Sequence, residues 1–131
     1  MKVLIVDDDK EIIELTKNTF MAGMGDVADV AYDGEEALNK MKDDHYDLVV
    51  LAVLIPGASG MEVMENMMHD EKLKNIPVLL MSVLPLYSES FHNSLNTFEE
   101  LSLVKDLLEK PFSSNDLMSK VEHIIHTSIA D

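Results

Sequence analysis

Short, almost wholly apolar runs constrain this chain more than anything else in it: "KVLIV" at 2–6, "DLVVLAV" at 47–53 and "IPVLLMSV" at 76–83. None of them alternates apolar with polar residues, as a strand with one wet face would. Each has to be covered on both faces, which is how strands of a parallel sheet sit between layers of helices. "DVADVAY" (26–32) is a weaker strand, and a fifth is expected within "LVKDLLEK" (103–110), where the pattern is poor. Pro77 falls near the start of its strand, where it removes no important ladder bond.

Helix-period segments fill the gaps. Asp8 and Glu11 have capping-box spacing ahead of Ile12, Ile13, Leu15 and Phe20, and Asp33 and Glu36 repeat the device ahead of Ala37, Leu38 and Met41. Ser59 and Glu62 do so ahead of Met61, Met64 and Met68, which share a helix face. That methionine stripe is read as core packing rather than as an adaptable partner surface. Ser113 opens a last helix with Leu117, Val121, Ile124 and Ile125 facing inward. Strand and helix thus alternate five times, and right-handed crossovers turn that order into a doubly wound α/β sheet with helices on both faces.

Composition narrows the classes of function. The 131 residues suit one compact domain, expected over 1–128 with a short tail at 129–131, and no second domain is expected after "TSIAD". Hydrophobic residues make up 47%, enough for a packed core. There is no cysteine, so disulfides, thiolate catalysis and Cys-ligated zinc are excluded. No apolar run approaches the roughly 18–20 residues of a membrane span, and "MKVLIVDDD" is not a signal peptide, so a cytoplasmic location is expected. The formal charge is −15, from 25 acids against ten lysines and no arginine. Such a surface repels phosphate backbones and anionic lipid, which argues against direct nucleic-acid or membrane binding. Most of the acidity is expected to be plain solvated surface.

In doubly wound sheets, sites form beyond the carboxyl ends of the strands. The first strand delivers Asp7, Asp8 and Asp9 there, the third Ala52, then Val53 and Leu54, the fourth Ser82 and the fifth Lys110. Closely spaced carboxylates repel one another and suit a divalent cation such as Mg²⁺. A phosphoryl group beside that metal needs a hydroxyl donor and a cation, which Ser82 and Lys110 supply. A carboxylate at 52 would accept a phosphoryl group as an acyl phosphate, whereas the methyl of Ala52 has no lone pair to attack with. Ordinary readings exist for each residue alone. Asp8 serves as a helix N-cap, Asp9 as a charge favoured by the helix dipole, and Ser82 as a turn residue. The set carries more weight than any member.

"VLIVDDD" (3–9), "LAVLIPGASG" (51–60), "LLMS" (79–82) and "EKPF" (109–112) resemble the receiver domain of two-component response regulators, over nearly the whole chain. In that family the acceptor aspartate is followed by two variable residues, an apolar residue, proline, and a glycine eight positions on. Ile55, Pro56 and Gly60 fit, and Ala52 falls on the acceptor. The resemblance implies a flavodoxin-like receiver fold with strand order 2-1-3-4-5. It implies that Asp7, Asp8 and the backbone carbonyl of Leu54 hold Mg²⁺, and that Ser82 and Lys110 contact the phosphoryl group, with a commonly cis Lys110–Pro111 bond. The implied partners are a histidine kinase or phosphotransfer protein and a downstream protein target. The implied switch repacks the face of the fourth helix, fifth strand and fifth helix.

Three departures stand against the family pattern. Ala52 removes the acceptor, so phosphorylation at 52 is not expected and Mg²⁺ binding should weaken. Leu107 replaces the usual Tyr or Phe, whose rotamer reports the state of the site, and Val83 is bulkier than the usual residue after the Ser/Thr, crowding the approach. The segment from Ser82 to Lys110 is also long, with Phe91, Leu95 and Phe98 at helix spacing. Two histories fit: an engineered Asp-to-Ala receiver, favoured by the intact Asp7, Asp8, Ser82 and Lys110, or a natural pseudo-receiver, favoured by Leu107 and Val83. Either would be a non-enzymatic module that signals by binding partners.

Two other functions use the same residues. A phosphatase of the haloacid-dehalogenase type would place Asp7 and Asp9 at the needed spacing, but that motif wants Thr or Val at Glu11, and no cap domain is expected. A flavodoxin-like cofactor binder would need a phosphate-cradling loop where "DDDKE" stands, with the opposite charge. The histidines at 45, 69, 92, 123 and 126 form no convincing metal set; His123 and His126 lie one turn apart without a third ligand, and both are read as surface residues.

Overall fold

The computed structural model describes residues 1–24, 26–53, 55, 57, 59–83 and 103–130, and at 24 and 127–130 the backbone alone. Five parallel strands form one sheet: β1 (Lys2–Val6), β2 (Val27–Ala31), β3 (Leu48–Ala52), β4 (Val78–Ser82) and β5 (Val104–Glu109). Their spatial order is β2-β1-β3-β4-β5, so the sheet winds both ways from β1. The register pairs Val3 with both Ala28 and Leu48, and Val50 with Leu79. The helix the sequence suggests around Phe91, Leu95 and Phe98 lies outside the described residues.

Period-2 alternation sorts the central strands onto two cores. Leu4 and Val6 of β1, Val49 and Leu51 of β3, and Val78 and Leu80 of β4 pack with Ala37 and Met41 of α2 (Gly34–Asp43) and Val63, Met64 and Met67 of α3 (Gly60–Met68). On the other face Val3, Ile5, Leu48, Val50, Ala52, Leu79 and Met81 pack with Ile13 of α1 (Lys10–Thr19), Phe20, and Leu117, Val121 and Ile124 of the C-terminal helix (Ser114–Ala130). Each such Val, Leu, Ile, Met or Phe side chain contributes about 1.5–3 kcal/mol by leaving water. That burial explains why Val3–Val6, β3 and Val78–Met81 are apolar on every residue.

The caps fall close to where the sequence puts them. Asp33 accepts from the Glu36 N–H, Ser59 from the Glu62 N–H and Ser113 from the Asp116 N–H, while Asp116 reciprocates to the Ser113 N–H. One expectation is corrected: Asp9, not Asp8, caps α1, accepting from the N–H groups of Glu11 and Ile12 at 3.0 and 3.4 Å. The three aspartates look alike in sequence, and the start of α1 at Lys10 makes Asp9 the residue that precedes its first turn. The methionine stripe does pack on the core, but its buried line runs through Val63, Met64 and Met67, with Met61 and Met68 half-buried at its edges. The strands are also shorter than their apolar runs, because Asp47, Val53, Ile76 and Val83 lie outside the ladder.

α1 does not end in a simple cap. Thr16 and Thr19 hydroxyls donate back to the Ile12 and Leu15 carbonyls, and the chain continues as a π-helical turn over Phe20–Met24. Thr19 also bonds Ser114 across to the C-terminal helix at 3.1 Å.

Candidate functional site

β1, β3 and β4 end side by side, and β5 ends beyond β4, so their last residues meet at one edge of the sheet. Asp7 follows β1, Ala52 closes β3, Ser82 closes β4 and Lys110 follows β5. These four, with Asp8, line a hollow of about 270 Å³. Residues from positions 7 to 110 are thus gathered around position 52. Asp9, Val53, Met81 and Val83 complete its lining, and Val83 is 63% exposed.

Asp7 is 1% exposed, and both its oxygens are engaged. Oδ2 accepts from Lys110 Nζ at 2.5 Å, and Oδ1 accepts from the Asp9 N–H at 3.1 Å. The Lys110 side chain is only 12% exposed, so the ion pair sits largely out of water. Lys110 is fixed by its own backbone as well: its N–H donates to the Ser82 carbonyl at 2.8 Å, and its bond to Pro111 is cis. Ser82 is buried at 3% exposure, and Asp8 is exposed. Ala52 contributes a methyl at 1% exposure and nothing polar from its side chain.

The turn that leaves β3 is held tightly. Gly60 donates its N–H to the Val53 carbonyl at 3.0 Å, and a Cβ on Gly60 would come within 2.5 Å of the Ala52 carbonyl oxygen. Only glycine allows the start of α3 to approach the end of β3 so closely. Gly57 in the same turn has φ of 77°, a conformation L side chains rarely adopt.

Other expected site residues lie elsewhere. Leu107 is in β5, half-buried, and lines a neighbouring groove between β5 and the C-terminal helix with Asp116 and Lys120, which shares Lys110 with the hollow. Leu54 lies outside the described residues. His45, His69, His123 and His126 are exposed, and His92 is outside the described residues. The Asp7/Asp9 pair that a phosphatase would use is divided between two other tasks, the Lys110 ion pair and the α1 cap.

The residues present offer Mg²⁺ two carboxylates, those of Asp7 and Asp8, and no acid at position 52. Among the described residues no group of three or more acids or histidines is placed to hold a metal. Asp7 is committed to Lys110, and Asp8 is the one further acid at the hollow not tied to a cap. Mg²⁺ wants a near-octahedral oxygen shell that a protein anchors through one or two carboxylates.

The sequence reading overlooked a second charged cluster at the opposite end of β1. Tyr46 is 2% exposed and donates its hydroxyl to Asp29 Oδ2 at 2.7 Å. Lys2 Nζ bonds Asp44, stands 3.7 Å from Asp29 and lies 5.3 Å above the Tyr46 ring. Burial, then Asp29, pushes the Tyr46 hydroxyl well above its usual range, and the bond to Asp44 raises Lys2. The available signal was a tyrosine set among acids in "DDHYD" just before a buried strand.

Known proteins resemble this chain in sequence and in fold. A family model described as the response regulator receiver domain matches residues 3–122. The chain is 34% identical over 127 residues to the alkaline phosphatase synthesis transcriptional regulatory protein PhoP of Bacillus subtilis, covering 97% of this chain and 49% of that one. It is 30% identical over 129 residues to the transcriptional regulatory protein CpxR of Escherichia coli K12, covering 97% and 50%. The chain therefore spans about half the length of the curated relatives it matches. Among solved structures it resembles the receiver domain of Francisella response regulator 1452, at a TM-score of 0.75 and 32% identity over 96% of this chain and 98% of that one. It shares the fold alone with the chemotaxis response regulator CheY4 of Vibrio cholerae, at a TM-score of 0.80 and 23% identity over 94% and 97%. With strand order, strand-end hollow and a family match spanning all five strands in agreement, the chain belongs to the response regulator receiver domain family of two-component systems.

Proposed function

We propose that this receiver signals by binding protein partners and does not accept a phosphoryl group at position 52. One observation supports the reading above the rest: Asp7, Asp8, Ser82 and Lys110 are gathered around a residue whose side chain is a methyl. Phosphoryl transfer to a receiver forms a bond between a carboxylate oxygen and phosphorus, and Ala52 has no such oxygen. Ser82 would donate to, and Lys110 neutralise, a phosphoryl group held at this hollow if an acid stood at 52. Leu107, set on β5 away from the hollow, would be the altered member of the switch.

The partners proposed are a histidine kinase or phosphotransfer protein and a downstream protein target. Direct contact with nucleic acid by this domain is disfavoured by its charge of −15. Among the described residues no helix is long and apolar enough to cross a membrane. The domain is proposed to occupy residues 1–128, to work in the cytoplasm and to turn over no substrate of its own. Any Mg²⁺ contact through Asp7 and Asp8 would be weaker than in a receiver with an acid at 52.

Ala52→Asp tests the reading. With Mg²⁺ and a small acyl-phosphate donor, the variant should gain one phosphoryl group by intact-protein mass spectrometry, while the chain with Ala52 gains none. A variant with native circular dichroism that stays unlabelled would instead favour a pseudo-receiver whose site has lost the reaction altogether.

A further inference from the structure

We infer that Glu36 and Lys40, one turn apart on α2, close the outer edge of β2 against a second copy of this chain, by occupying backbone groups that an added strand would use. The inference goes beyond the receiver reading and does not depend on what stands at position 52.

β2 is an edge strand, and its own sequence does little to protect it. It pairs with β1 in unbroken register from Val27 to Ala31, and "VADVA" holds no lysine and no proline. Its single charge, Asp29, is engaged by Tyr46. Val27 at its start and Tyr32 just past its end are 59% and 46% exposed. The other edge strand is built differently. β5 carries an extra residue, the exposed Lys105, between the partners of Val78 and Leu79, and that irregularity spoils it as a template.

Backbone directions identify what β2 leaves open. Val27 donates its N–H to the Met1 carbonyl, and the Ala31 carbonyl accepts from the Asp7 N–H, so both residues turn their backbone groups toward β1. Successive residues of a strand alternate in this respect, and Ala28, Val30 and Tyr32 turn theirs outward. Two side chains of α2 meet that outward row. Lys40 Nζ bonds the Val30 carbonyl, and Glu36 Oε2 accepts from the Tyr32 N–H at 3.2 Å. Lys40 Nζ also stands 3.4 Å from Glu36 Oε1, so one ion pair covers a neighbouring acceptor and donor of the edge. A capping box would send Glu36 back to the Asp33 N–H; here it reaches one residue further, to the end of the strand.

The outward row is self-complementary. Two copies related by a two-fold axis at Val30 would set Val30 against Val30 and Ala28 against Tyr32 in an antiparallel ladder. Asp29 would stand opposite Ala31, so no like charges would face each other along the strands. That ladder needs the Val30 carbonyl and the Tyr32 N–H of each copy, the two groups that α2 holds.

Sedimentation equilibrium together with amide hydrogen exchange tests this. Glu36→Ala/Lys40→Ala should self-associate about tenfold or more tightly than the unaltered chain. Its Ala28 and Val30 amides should exchange more slowly as protein concentration rises. Glu36→Gln/Lys40→Arg, which keeps an acceptor and a donor on α2, should behave as the unaltered chain does. A folded Glu36→Ala/Lys40→Ala whose association is unchanged overturns the inference, and so does tighter association that leaves those two amides untouched. An unaltered chain whose Ala28 and Val30 amides already slow with concentration overturns it as well, because its edge would then be open. Lys40→Met, which uncovers the Val30 carbonyl alone, gives the same readings should the double variant not fold.

Discussion

The two ends of β1 carry the same chemistry in different solvents. At its start Lys2 pairs with Asp44 and Asp29, whose side chains are 50% and 38% exposed. Just past its end Asp7 pairs with Lys110, at 1% and 12%. At the exposed end water screens the charges, and the pairing shifts pKa values without fixing any element in place: Asp44 is lowered, chiefly by its bond to Lys2. At the buried end neither partner has an alternative, so the pair fixes the end of β1 against the end of β5. Burial thus decides which charged cluster organises a site and which decorates a surface.

Breaking the buried pair should give the largest effect. Lys110→Met leaves the Asp7 carboxylate buried without its counterion and should cost about 3 kcal/mol in urea unfolding. Adding Asp7→Asn in the same chain should recover part of that loss, because the orphaned charge is gone. Equal losses for the single and double variants would mean the pair contributes packing and no charge coupling.

Tyr46 sharpens the comparison, since it is the buried member of the otherwise exposed cluster. Tyr46→Phe removes the bond to Asp29 and should cost about 1 kcal/mol. Its pH signature follows from the raised hydroxyl. The unfolded chain's tyrosine loses its proton near pH 10, while the folded one keeps it to higher pH. Its stabilisation is therefore complete below about pH 10 and is lost as pH rises towards the folded value. Denaturant midpoints should fall more steeply above pH 10 in the unaltered chain than in Tyr46→Phe; parallel curves would remove the assignment.

Lys2→Gln should have the smallest effect of all. Any difference in unfolding midpoint at low salt should disappear near about 1 M NaCl, where the screening length is a few ångströms. A loss that persists in high salt would place Lys2 with the buried pair.

Most of the fold was legible because β1, β3 and β4 are covered on both faces and cannot disguise it. β5 was hard to read for the same reason reversed: as an edge strand it keeps Lys105 and Glu109 exposed and buries few residues. The strand-end set was legible because each member directly ends or follows a strand. The partner Lys110 takes was not, since that depends on which side chain occupies the space beside residue 52. Nor was the choice of cap among three adjacent aspartates, which the start of α1 at Lys10 settles. The Tyr46 cluster escaped notice because Lys2, Asp29, Asp44 and Tyr46 follow no spacing rule; only the pairing of β1 with β2 and β3 brings them together.

Gly60 bears on how position 52 can vary at all. What crowds Gly60 is the carbonyl of residue 52, while the methyl of that residue faces the opposite core. The backbone of one residue therefore carries architecture and its side chain carries chemistry. The close approach of α3 to the end of β3 thus depends on a backbone atom of residue 52 and on the missing side chain of Gly60, and not on which side chain stands at 52.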